Sequence, residues 1–201
     1  MVPRSFCIIQ FTYIVCLEPT DKQKTSTTMA QIVFVSHAKD LIRNTVLWQV
    51  YHLLATQAAN PHSFWLQGRQ RTQHNTPQQM VFTAQNRPTT FKALLSIQGR
   101  QVGVLCCVPQ LTTLLNGINM LAGEGAEIIV CGIDSMTLYS EPFWRGGLQS
   151  IGHKYIETIY LQDRIPNNVL IDSNARRNGS LFNDVVQDII NCIIHLINQK
   201  H

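Results

Sequence analysis

The stretch Val102–Ile133, VGVLCCVPQLTTLLNGINMLAGEGAEIIVCGI, decides the fold. Val102–Val108 is a nearly continuous apolar run, and such runs suit strands covered by helices on both faces. Pro109 and Gln110 lead into Leu111–Ala122, a helical segment closed by Gly123 and Gly125. Ala126–Ile133 is a second run of the buried-strand kind. Strand, helix and strand at this spacing imply a right-handed crossover and a parallel sheet.

The same alternation extends towards the N-terminus. Ile32–Val35 reads as a short strand that ends at Ser36–His37–Ala38. Leu41, Ile42, Thr45, Trp48, Tyr51, His52 and Ala55 then fall at three- and four-residue intervals, the period of a helix. Phe64–Leu66 and Met80–Thr83 read as further short strands, and the Gln-rich Gly68–Pro77 between them as a loop. Thr89 or Thr90 is placed to cap a short helix through Ser96, with Gly99 as its stop. Towards the C-terminus the pattern is less regular. Trp144–Arg145–Gly146–Gly147 reads as a loop, Tyr155–Leu161 as a strand or short helix, and Val169–Ile171 as a last apolar run. Ser180 opens a final helix on which Leu181, Val185, Ile189, Ile193 and Ile197 repeat. The expected architecture is α/β, a doubly wound parallel sheet of about five strands in a flavodoxin-like three-layer sandwich. Its strands are Ile32–Val35, Phe64–Leu66, Met80–Thr83, Val102–Cys106 and Glu127–Cys131.

Composition narrows the partners. The 201 residues suit one domain over residues 29–201. Residues 1–28 read as an appended or mis-started segment, with a targeting segment and an extra strand as the alternatives. Ser5–Leu17 is apolar behind Arg4, but the run is too short to span a membrane. The net charge is +4, and the basic residues are scattered, so no block of Lys and Arg points to nucleic acid. None of the six cysteines forms a CxxC pair, so reduced thiols in a cytoplasmic protein are expected. His37, His52 and His195 lack partners at ligand spacing, and no metal is expected.

In open parallel sheets ligands bind beyond the carboxyl ends of the strands. Three loops meet that description: Ser36–Thr45, Thr83–Arg87 and Cys107–Gln110. In the first, hydroxyls, Lys39, Arg43 and the helix N-terminal amides form a candidate phosphate site; an ordinary capped helix start is the other reading. The other two loops flank a candidate site for a planar ring, with Asn86 as a polar contact, or are simple connections. Cys106 or Cys107, between a strand and a helix, is placed as a nucleophile, with His153 as the distant base; two packed thiols are the alternative. Asp134 is placed to bind a ribose or metal, or to cap a turn. Arg176–Arg177 is a phosphate grip or a solvated turn.

The order of elements resembles that of the NADPH-dependent FMN reductases, the flavodoxin-like family that includes chromate and quinone reductases. In the place of that family's Gly-Ser-x-Arg phosphate loop stands Ser36–His37–Ala38–Lys39. In the place of its Thr-Pro-Glu-Tyr-Asn loop stands Thr83–Ala84–Gln85–Asn86, where Thr83 and Asn86 match. Phe91–Leu95 with Gly99–Val102, and Val169–Ile171 with Asn178–Leu181, are similar to later segments of the family. The resemblance implies a flavin-dependent oxidoreductase. FMN would take electrons from NADPH or NADH and pass them to a quinone-like small-molecule acceptor. Ser36, Lys39, Arg43 and Thr45 would hold phosphate, while Thr83, Asn86 and Arg87 would border the ring. The reading from another class is a flavodoxin-like interaction or scaffold domain without cofactor loops. There Trp48, Tyr51 and Leu54 would fill a homodimer interface.

Overall fold

The structure is a computed structural model of the chain. It describes residues 29–66, 69–73, 90–106, 110–134, 141–166 and 179–199. The segment 1–28, the strand expected at Met80–Thr83 and the run Val169–Ile171 lie outside the described residues.

In chain order the elements are β1 (Gln31–Ser36), α1 (Asp40–Gln57), β2 (Ala59–Leu66), β3 (Arg69–Gln73), β4 (Phe91–Ile97), β5 (Arg100–Cys106), α2 (Leu111–Gly123), β6 (Ile128–Ile133), α3 (Glu141–Ser150), β7 (Lys154–Tyr160) and α4 (Gly179–Asn198). A 3₁₀ turn, Leu161–Asp163, follows β7. The strands form one sheet in the order β3-β2-β4-β5-β6-β1-β7. It has two halves. β5, β6, β1 and β7 are mutually parallel. β3, β2 and β4 extend the sheet through antiparallel pairings, and β4 joins β5 in the same manner.

The α/β class holds, and helices lie on both faces of the sheet. On β1 the side chains alternate. Val33 and Val35 enter one core with α1 (Val46, Val50, Leu54) and α4 (Val185, Ile189, Ile193). Ile32 and Phe34 enter a second core with α2 (Leu114, Ile118, Leu121) and α3 (Leu148). β1 and β6 are buried along their whole length, which is why both read as unbroken apolar runs. α4 buries Val185, Ile189, Ile193 and Ile197 of its expected stripe; the side chain of Leu181 is outside the described ones.

Three local expectations are corrected. The helix expected up to Ser96 is strand β4, paired with β5 so that Ile97 faces Arg100. Its side chains alternate between buried and half-buried, a period of two. The two turn residues have φ of 51° at Gln98 and 80° at Gly99, the positive values that a tight hairpin turn demands. Gly99 therefore turns a hairpin instead of stopping a helix. Arg69–Gln73, expected in a loop, is edge strand β3, whose pairing with β2 supplies what its polar sequence lacks. The segment Trp144–Gly147 lies within α3, where Leu148 anchors the helix in the core and outweighs the helix-weakening glycines. The expected all-parallel sheet is thus parallel only in its β5-β6-β1-β7 half. Phe64–Leu66 is a strand, but both of its sheet neighbours run antiparallel to it.

Candidate functional site

The connections fix where a site can form. The chain leaves β1 for α1 on one face of the sheet and leaves the adjacent β6 for α3 on the other. Two neighbouring parallel strands whose connections part to opposite faces open a crevice at their carboxyl ends, the usual ligand position in such sheets. Here that point is marked by Ser36 at the end of β1 and His37 after it, by Ile133 at the end of β6 and Asp134 after it, and by Tyr160 at the end of β7. Ser36 stands in register with both Ile133 and Tyr160.

The β1–α1 loop is held by its own side chains. His37 is fully buried. Its Nδ1 accepts the Lys39 N–H at 2.9 Å, so the proton sits on Nε2, which donates to the Ile165 carbonyl at 3.0 Å. That bond fastens the loop to the segment after β7. Arg43, 1% exposed, donates through Nη2 to Asp40 at 2.7 Å and through Nη1 to the His37 carbonyl at 3.4 Å. Its stem lies over Gly132 of β6, where a Cβ would stand 2.9 Å from Arg43 Cδ and 2.8 Å from Leu47 Cδ1. The glycine is what lets a long cation pack between α1 and the sheet. A buried guanidinium needs a partner, and Asp40 supplies it.

The expected site residues divide accordingly. Ser36, Lys39 and Arg43 lie at the crevice, Lys39 exposed as the N-cap of α1. Arg43 is engaged beneath the loop, and Thr45 turns back on its own helix, donating to the Leu41 carbonyl at 2.6 Å. Ser36 is fully buried, and its Oγ has no hydrogen-bond partner. Thr83, Asn86 and Arg87 lie outside the described residues, as do Cys107 and Arg176–Arg177.

Cys106 is buried at the carboxyl end of β5, whereas His153 precedes β7 at the opposite end of the parallel strands. Seven strand residues, about 23 Å, separate the two ends. The thiol and base therefore do not form a pair. Burial lowers the pKa of His153, and its Nε2 meets Asn119 Oδ1 of α2 at 3.3 Å. Cys192 of α4 donates its S–H to Glu157 Oε1 at 2.7 Å. Burial, and next the Glu157 carboxylate, push that thiol up to about 12, so it stays protonated and unreactive. Among the described residues no three His, Cys, Asp or Glu side chains group as a metal ion requires.

Trp48, Tyr51 and Leu54 do not present the expected interface. Tyr51 and Leu54 are buried, and Trp48, half-buried, packs on the same core. Their neighbours are Phe64 of β2 and Phe91 of β4; the Tyr51–Phe64 and Trp48–Phe91 ring centroids are 5.1 and 5.3 Å apart. This aromatic cluster glues α1 to the antiparallel half of the sheet. The residue that sequence reasoning missed is His37, set aside for want of a metal partner. A histidine between a buried strand and a helix start was its only signal.

No family model, curated protein or solved structure matches this chain. No helix among the described residues is long and apolar enough to cross a membrane.

Proposed function

We propose that the protein is a small-molecule-binding α/β domain whose ligand occupies the crevice beyond β1 and β6. One observation carries the reading: the loop at that crevice is pre-shaped by His37 and Arg43, both buried and both bonded to loop backbone. A loop held before the ligand arrives loses little further entropy on binding. FMN is the ligand of first choice, with NADPH or NADH as electron donor, a quinone-like acceptor and a cytoplasmic setting. The flavin would carry the electron chemistry; the protein would orient it. Support for FMN comes from the sequence resemblance. The flavodoxin-like order places the first strand between the second and third, whereas here β1 lies between β6 and β7. The test is a titration of the purified chain with FMN, followed by flavin absorbance and fluorescence quenching. A saturable change with one site per chain is expected; a flat titration removes FMN from the reading.

A second reading, a non-catalytic interaction domain, is favoured by one observation. Arg43 and Thr45, two of the four groups assigned to phosphate, are engaged within the fold. Its signature would be a flat FMN titration together with a homodimer, or a complex with another protein, in sedimentation.

A further inference from the structure

We infer that the Ser36 hydroxyl is the anchor of an oxyanion subsite on the α2–α3 side of the sheet, for a phosphate group of the ligand. The inference rests on the crevice being a ligand site and specifies which side of the sheet holds the charge. Side chains alternate along β1, with Ile32 and Phe34 facing α2 and α3, and Val33 and Val35 facing α1 and α4. Ser36 continues the first series and stands in register with Ile133, which faces the same way. Arg43 and Thr45 belong to α1, on the other face. One phosphate held jointly by all three is therefore excluded by the pleat.

Three features converge on the Ser36 side. The hydroxyl is fully buried and unpartnered, an arrangement that costs stability unless something else meets it. α2 and α3 follow β5 and β6, so both begin at this same edge and direct their positive ends to it. α2 has no acidic residue in its first turn, and its N-cap, Gln110, makes no side-chain capping bond. Its early amides are thus donors that no cap engages. Tyr160, in register beside Ser36 on the edge strand, is 45% exposed, so the carboxyl end of β7 borders solvent next to the buried hydroxyl.

The experiment is isothermal titration of the full chain with inorganic phosphate, comparing wild type, Ser36→Ala and Thr45→Val, with thermal melts of each. Ser36→Ala is expected to weaken phosphate at least about tenfold, since a charge-assisted hydrogen bond is lost, while its melting temperature holds or rises. Thr45→Val, on the other face, is expected to keep wild-type affinity. Unchanged phosphate affinity in Ser36→Ala overturns the inference, as does a wild type that binds no phosphate. A melting temperature clearly lowered by Ser36→Ala also overturns it, because the hydroxyl would then have a structural partner. A parallel FMN titration separates the two levels. FMN bound equally by wild type and Ser36→Ala removes this subsite and leaves the flavin reading; phosphate binding lost in Ser36→Ala without any FMN binding does the opposite.

Discussion

At the scale of single residues, several polar side chains are buried at a cost that their partners offset. Arg43 relies on Asp40, and His37 on the Ile165 carbonyl and the Lys39 amide. His153, like Ser36, is left partly unpartnered, and it titrates. It is 6% exposed, its Nδ1 has no partner, and burial lowers its pKa below the usual histidine value of about 6.5. The unfolded chain therefore binds a proton at a pH where the folded chain resists it. Stability contributed by the neutral ring is complete above about pH 6.5 and declines as the pH falls towards the lower folded value. His52, lowered by burial beside Trp48, acts with the same sign. Urea unfolding at pH 7.5, 6 and 5 is expected to show falling stability, with a shallower fall in His153→Gln. An equally steep fall in that variant would assign the effect elsewhere.

At the scale of elements, α4 shows what an amphipathic stripe contributes. Ile189 is fully buried between the sheet and α1. Its truncation to Ala removes apolar contact and leaves a cavity, for a loss of about 2–5 kcal/mol. Domain stability is only about 5–15 kcal/mol, so denaturant unfolding of Ile189→Ala is expected to show a clearly lowered midpoint. Phosphate affinity at low temperature is expected to survive, because α4 packs on the face opposite Ser36. The stripe was legible in the sequence because each of its positions repeats at the helical period. The β4–β5 hairpin was not, although Phe91, Ala93, Leu95 and Ile97 alternate cleanly. Thr89 and Thr90 offered a helix cap, and Gln98–Gly99 is an uncommon pair for a turn with two positive φ values. Pairing with β5 across the whole strand decided the matter.

At the scale of the whole molecule, the two halves of the sheet are stabilised differently. β1 and β6 are covered by helices on both faces and flanked by strands on both sides. Among the described residues β3 is an edge strand of five residues, paired only with β2. Opening free energy follows burial and pairing, so amide exchange is expected to be slowest in β1 and β6 and far faster in β3. Hydrogen-exchange mass spectrometry reads this directly; uniform protection across the sheet would mean that the antiparallel half is as tightly held as the parallel one. β7, the other edge among the described residues, carries a bulge at Ile156, opposite Ile32 and Val33 of β1, and the charged Lys154 and Glu157, devices that discourage pairing with a further strand.

The sequence by itself determined the α/β class, the buried strands β1, β5 and β6, and the helices α1, α2 and α4. These are local properties: an apolar run or a 3.6-residue period states how much of an element is buried. It did not determine which strands are neighbours, because pairing partners are distant in the chain. β1 sits beside β6 and β7, and β4 is a strand through its bonds to β5 and β2. The candidate site divides along the same line. That Ser36 ends a strand could be read from the residues. That its hydroxyl faces α2 and α3 while Arg43 and Thr45 lie across the sheet was decided only by tertiary structure, since the face of a strand residue has meaning only once helices cover both sides.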